Sequence, residues 1–290
     1  MVAPGNRLSA EHSVTHTTLV STEELGRHPE WRVFDCRHDL AKPDWGLEEF
    51  GKGHIPGARF AHLDRDLSAP MTGSNGRHPL PEAKTFIAWL GREGLRPDQQ
   101  VVCYDAGSGA TAARLWWMLR WVGHEPVAVL DGGLAKWLQE RRPVTSEVPE
   151  VAPVGYPGKA RASMAASLRL VEKKLKRAAL LDARAPARYR GEQEPIDPVA
   201  GRIPGAKNRF NNDNLSPEGI FKKPELLRAE FASILADRDS ADVIHYCGSG
   251  VAACHNALAM EIAGLGGSRV YVGSWSEWSA DPARPIARSV

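Results

Sequence analysis

Short apolar runs alternate with longer amphipathic ones along this chain. Residues 101–105 (Val-Val-Cys-Tyr-Asp) and 242–246 (Asp-Val-Ile-His-Tyr) are brief, apolar and bounded by glycine or polar residues, which predicts buried strands. After each, apolar residues return at helical spacing: Leu115, Leu119 and Val122 in one case, Leu258, Ile262 and Leu265 in the other. Further strands are predicted near 127–131 and 269–273. Strand, helix and strand at this spacing describe βαβ units, and hence an α/β fold with mostly parallel sheets covered by helices on both faces.

The pattern occurs twice. Val33-Phe34-Asp35-Cys36-Arg37 pairs with Leu180-Leu181-Asp182-Ala183-Arg184, and Gly53-His54-Ile55-Pro56-Gly57-Ala58 with Gly201-Arg202-Ile203-Pro204-Gly205-Ala206. The strand ending at Asp105 pairs with the one leading into Cys247, each followed by a Gly-Ser-Gly step at 107–109 and 248–250. Last, Leu130-Asp131-Gly132-Gly133 with Trp137 pairs with Val272-Gly273-Ser274-Trp275 with Trp278. The offset drifts only from 148 residues (Gly53 to Gly201) to 141 (Gly107 to Gly248). Four landmarks in one order mark an internal duplication. We expect tandem domains over 15–140 and 161–290, joined by a linker at 141–160. Its Pro143, Pro149, Pro153, Pro157, Gly155 and Gly158 favour an extended path along the surface.

Composition narrows the function. The 290 residues suffice for two ordinary domains, and 42% hydrophobic with 25% charged residues is the make-up of a soluble globular chain. A net charge of +2 gives no reason to expect nucleic acid or an anionic membrane as partner. No apolar run approaches the ~20 residues of a membrane span. The first twenty residues lack the apolar core of a secretory signal and read as a short disordered lead-in. Cys36, Cys103, Cys247 and Cys254 form no metal-like spacing and no disulfide framework, so neither metal nor organic cofactor is expected, and a reducing cytoplasm is.

In open parallel sheets, ligands bind beyond the carboxyl ends of the strands. Cys247 stands at such an end, with Gly248-Ser249-Gly250-Val251-Ala252 leading into a helix. Glycines there let successive N–H groups turn inward as an anion nest, and the helix start adds positive potential. That setting favours a thiolate, and would equally hold a persulfide anion. The plain alternative is a small buried hydrophobe at a tight turn. The first copy bears on the choice, because it builds the same corner with Asp105 in place of cysteine. A phosphatase-type Cys-x5-Arg loop would need arginine at 253, where Ala253 stands, and a Gly-x-Ser-x-Gly elbow would need glycine at 247 and 251. Cys254, Cys36 and Cys103 read as packing, as do Trp116, Trp117 and Trp121.

The two Gly-x-Ile-Pro-Gly-Ala segments, Cys247-Gly248-Ser249-Gly250-Val251 and Gly273-Ser274-Trp275 together resemble the two-domain rhodanese superfamily over about residues 15–285. Within it the cysteine loop is most similar to that of the 3-mercaptopyruvate sulfurtransferases, since residues 248–253 carry no charge, whereas thiosulfate sulfurtransferases typically have basic residues there. The resemblance implies sulfur transfer through a persulfide on Cys247. It also implies a relay of Ser249, His78 and Asp64, a substrate-carboxylate site at Arg188, and backbone donors at Gly248, Gly250, Val251 and Ala252. The implied partners are 3-mercaptopyruvate or thiosulfate as donor, and a thiol such as thioredoxin, a low-molecular-weight thiol or cyanide as acceptor. Thiosulfate sulfurtransfer is the nearest alternative, and a non-catalytic binding module is a more distant one. Two departures stand out: Asp197 falls where a second substrate arginine is common, and Ala252 where threonine is usual.

Overall fold

A computed structural model describes residues 15–175 and 177–289. Strands β1 (Leu19–Val20), β2 (Arg32–Asp35), β3 (Ala58–Phe60), β4 (Val101–Tyr104) and β5 (Val127–Leu130) form one sheet in the order β1-β5-β4-β2-β3. Strands β6 (Ala165–Ala166), β7 (Ala179–Asp182), β8 (Lys207–Asn208), β9 (Val243–Tyr246) and β10 (Arg269–Tyr271) form a second, in the order β6-β10-β9-β7-β8. The permutation is the same in both, and every pairing is parallel. Helices α1 (Thr22–Arg27), α2 (Trp45–Lys52), α3 (Ala83–Arg92), α4 (Ala110–Trp121) and α5 (Gly133–Gln139) belong to the first half. Helices α6 (Leu168–Lys174), α7 (Pro186–Arg190), α8 (Pro224–Leu235), α9 (Ala252–Ile262) and α10 (Ser274–Trp278) belong to the second. The α/β architecture expected from the apolar pattern is therefore present twice.

The repeated landmarks have a physical cause. At the end of β2, Arg37 Nε donates to both oxygens of Asp35 (3.1 and 2.9 Å), and its Nη2 reaches the Gly53 carbonyl (2.8 Å). At the end of β7, Arg184 does the same with Asp182 and the Gly201 carbonyl (2.7 Å). Tyr104 and Tyr246, at the ends of the central strands, accept from the N–H groups of Ile55 (3.2 Å) and Ile203 (3.3 Å). Asp-x-Arg, the Gly-x-Ile-Pro-Gly-Ala turn and the strand-end tyrosine thus form one buried polar lock, in which each aspartate faces an arginine and each tyrosine takes a backbone N–H.

Both long central helices end alike. Gly123 (φ +92°) and Gly264 (φ +69°) stop α4 and α9, while His124 N–H bonds Leu119 O (2.9 Å) and Leu265 N–H bonds Met260 O (2.8 Å). Hence the helical spacing extends to Leu265 although α9 ends at Ile262: the residue after the glycine still packs back on the core. Helices α4 and α9 pack on each other, and one apolar cluster runs through both halves, from Leu115 and Met118 to Leu258 and Met260.

Residues 141–160 contain no helix, and within them Thr145 alone pairs as a β-bridge, with His54. The segment lies along the first half: Val154 N–H bonds Gly91 O (2.9 Å), and Lys159 N–H bonds Val122 O (2.9 Å). Of the expected lead-in, residues 1–14 lie outside the described residues. Leu19 and Val20 are not irregular but form β1, a two-residue edge strand too short to register as a period. Among the described residues, no helix is long and apolar enough to cross a membrane.

Candidate active site

Cys247 follows β9 directly, and the end of β10 with the start of α10 fixes its loop. Gly250 sits at φ +80°, where a side chain would collide with the Val272 carbonyl, and its N–H donates to Cys247 Sγ (3.1 Å). Cys247 N–H donates to Ser274 Oγ (3.1 Å), which in turn donates to Tyr271 O (2.8 Å). Trp275 and Ser276 N–H groups bond the carbonyls of Cys247 (3.0 Å) and Gly248 (2.9 Å). The Gly-Ser-Trp landmark is therefore the clamp of the cysteine loop. Ser274 is fully buried at φ +55°, the same backbone state as its repeat partner Gly133. A serine accepts that strained position because its hydroxyl holds the cysteine in place. Among the described residues, the N–H groups of Gly248, Ser249 and Val251 meet no acceptor, leaving donors for an incoming anion.

The repeat supplies an internal comparison. At the equivalent corner of the first half, Asp105 Oδ1 accepts from Gly107 and Gly109 N–H (both 2.9 Å), and Oδ2 from Thr111 N–H and Oγ1 (both 3.0 Å). Gly109 shares the φ of +80° seen at Gly250. The first half fills its nest with a carboxylate of its own; the second offers a nearly unencumbered sulfur.

The relay residues come together across the two halves. His78 Nδ1 lies 2.7 Å from Ser249 Oγ, 171 residues away in sequence, and His78 Nε2 lies 3.2 Å from Asp64 Oδ1. An ionised carboxylate only accepts, so Nε2 carries the ring hydrogen and Nδ1 accepts from the serine hydroxyl. Burial lowers the His78 imidazole from its ordinary value, with Asp64 pulling the other way; the hydrogen bond to His78 lowers the Asp64 carboxyl. Arg114 is entirely buried beneath this junction, donating to the carbonyls of Leu67 (3.0 Å) and His78 (3.2 Å) in the first half and Gly250 (3.4 Å) in the second. His38, Asp64 and His78 offer donor atoms within 4.8 Å of one another, but both nitrogens of His78 are already engaged, by Ser249 and Asp64.

Cys247 and Ser249 open on a cavity of about 400 Å³ between the halves, at the carboxyl ends of the strands; His78 and Asp64 are not part of its lining. Cys247, Gly248, Ser249, Val251, Ala252 and Arg188 line it; Gly250 does not, its N–H being turned to the sulfur. Arg188 is tied to Glu194 through Nε (3.1 and 3.2 Å) and Nη2 (2.6 Å), and Nη2 also reaches Asp197 (3.1 Å). Burial would raise the Glu194 carboxyl, but the Arg188 guanidinium and backbone N–H donors bring it below its ordinary value. Asp197 also pairs with Arg77, which the sequence reading passed over. The uncharged loop thus sits in a charged site whose cations arrive from residues far apart in the chain. Ser274 and Arg114 were likewise missed; the one available signal was a serine opposite Gly133 in the repeat. All four cysteines are free and buried, and Cys254 Sγ bonds Gly250 O (3.2 Å). Burial pushes the Cys254 thiol up to about 12, which suits a packing role.

A cysteine on a glycine-rich corner of one of two duplicated parallel α/β domains defines the class of tandem rhodanese-like proteins. The family model described as "Rhodanese-like domain" matches residues 21–140 and again 167–281. A probable 3-mercaptopyruvate sulfurtransferase of Pseudomonas aeruginosa is 47% identical, over 93% of this chain and 97% of its own length. The thiosulfate sulfurtransferase of Mus musculus is 36% identical over 92% and 93%. The solved 3-mercaptopyruvate sulfurtransferase of Leishmania major superposes with a TM-score of 0.81 at 30% identity, covering 91% of this chain and 74% of that one. The chain belongs to the rhodanese family as a tandem member, and is a sulfurtransferase of the 3-mercaptopyruvate and thiosulfate kind.

Proposed function

We propose that the enzyme takes sulfur from 3-mercaptopyruvate onto Cys247 and passes it to a thiol, such as thioredoxin or a low-molecular-weight thiol, or to cyanide. The Ser249–His78–Asp64 chain carries this reading, because its hydrogen bonds link a hydroxyl two residues from the nucleophile to an imidazole and a carboxylate. Thiosulfate leaves as sulfite, which needs no proton on carbon; mercaptopyruvate leaves as an enolate, which does. The first half-reaction balances without an outside proton source. The Cys247 thiolate attacks the donor sulfur, the carbon–sulfur bond breaks, and the electron pair goes to the enolate. The hydrogen of the donor thiol passes through Ser249 and neutral His78 to the enolate carbon, leaving Cys247 persulfide and pyruvate. Arg188 faces the donor carboxylate with the edge not used by Glu194. The persulfide then gives its outer sulfur to the acceptor. Four buried free thiols suit a reducing compartment, the cytoplasm.

Thiosulfate remains the second reading, favoured by the guanidinium groups of Arg77, Arg184 and Arg188 at the cavity. Steady-state transfer to cyanide from each donor separates the two. Cys247→Ser is expected to abolish both activities. His78→Ala is expected to lower mercaptopyruvate turnover by about 10²–10⁴-fold, the usual worth of general acid–base help, and thiosulfate turnover far less. Equal losses would remove the relay from the mechanism.

A further inference from the structure

His38 stands beside the relay, and the mechanism proposed above leaves it idle. Its ring lines the cavity, meets His78 edge to face with centroids 6.1 Å apart, and makes no hydrogen bond among the described residues. One donor atom each from His38, Asp64 and His78 lies within 4.8 Å of the other two. The pair already in contact, His78 Nε2 and Asp64 Oδ1, is 3.2 Å apart. Two ligands about 2.0–2.1 Å from a tetrahedral zinc ion keep roughly 3.3 Å between them, so this pair has ligand spacing and His38 needs to close by at most about 1.5 Å. Both members of the pair are also oriented from behind, as metal ligands usually are: His78 Nδ1 faces Ser249 Oγ (2.7 Å), and Asp64 N–H donates to His62 Nδ1 (3.1 Å).

We propose that His38, Asp64 and His78 Nε2 bind a divalent ion of the zinc type, with water completing the tetrahedron, and that the ion switches off the relay on which the proposed function rests. Two imidazoles and one carboxylate select such an ion over magnesium, which takes oxygen ligands. Without the ion, Nε2 carries the ring hydrogen and Nδ1 accepts from Ser249. Coordination displaces that hydrogen: it leaves Nε2, the neutral ring takes one up at Nδ1, and no net proton is released. Nδ1 then donates to Ser249 Oγ and can no longer receive its proton. Cys247 is not a ligand, so the ion closes the proton path and leaves the nucleophile free.

Calorimetric titration of zinc chloride into the full chain bearing Cys247→Ser tests the site without turnover, since that background removes binding by the thiolate. One ion per chain is expected, with cobalt chloride giving the visible bands of a tetrahedral nitrogen–oxygen site and magnesium chloride failing to compete. Outer-shell partners alone are worth about 10–100-fold in metal affinity, so losing a ligand by His38→Ala or by Asp64→Asn is expected to weaken binding about tenfold or more. The melting temperature of each variant, measured without zinc, checks that it is folded. With the cysteine intact, buffered zinc is expected to inhibit 3-mercaptopyruvate turnover, His38→Ala to escape that inhibition, and Cys247 to stay open to iodoacetamide. Zinc bound equally well by both variants, or bound only when Cys247 is present, would overturn the site. Inhibition that survives His38→Ala would overturn the switch. A wild-type enzyme that ignores 3-mercaptopyruvate yet binds zinc through His38 would sink the donor assignment and leave the site standing.

Discussion

His78 is poised by two opposed effects: burial disfavours the imidazolium, and Asp64 favours it, with burial the larger. On the proposed relay the ring begins neutral, so activity is expected above the His78 pKa and lost as pH falls through it. The acid limb of kcat/KM for 3-mercaptopyruvate is accordingly expected below about 6.5, the ordinary imidazole value. Asp64→Asn removes the charge that raises His78, so the limb should move further toward acid while kcat drops about a hundredfold. A limb that stays in place would assign the titration to another group. Cys247 was legible because it stands on a repeated corner, whereas the place of Ser249 in the relay came only from the family resemblance. His78 and Asp64 were not legible from spacing, since the chain brings them to Ser249 across 171 residues, and only the family resemblance pointed to them. Arg77 escaped altogether: a lone arginine in a polar loop has no pattern until Asp197 is folded against it.

Elements carried more of their own description. The central strands and the helices after them follow from short apolar runs and glycine stops, whereas β1, β6 and β8, at two residues each, are made by the strands they join. The turns into α5 and α10 show how one backbone shape serves two purposes. Gly133 and Ser274 share a φ of 55°, at no steric cost for glycine and at a cost for serine that the hydroxyl bond to Cys247 N–H offsets. Ser274→Ala keeps the strain and loses the bond; Ser274→Gly loses both. The glycine variant is therefore expected to be more stable than the alanine variant by about 1–2 kcal/mol in urea unfolding, with sulfur transfer impaired in both. An alanine variant as stable as the glycine one would mean that the turn relaxes and the serine is not held in strain.

At the scale of the molecule, the two halves are neither equivalent nor independent. Their cores merge where α4 meets α9, and Arg114 joins the carbonyls of His78 and Gly250 from beneath. The duplication was plain in the sequence, but the seam was not, because helices apolar on all sides read the same whether they face a sheet or a second domain. The two corners at the cavity differ in one respect with a thermal consequence. Asp105 gives the first half a carboxylate that accepts four hydrogen bonds of 2.9–3.0 Å, while Cys247 accepts from a single N–H. A second sulfur on Cys247 would complete in the second half what Asp105 completes in the first. At about 1 kcal/mol for each hydrogen bond gained, loading should raise the melting temperature by several degrees, and cyanide should return it. Equal melting temperatures would mean that the free N–H groups do not serve the sulfur. With the loaded form the sturdier one, the enzyme at rest would be a reservoir, holding its cargo until an acceptor collects it.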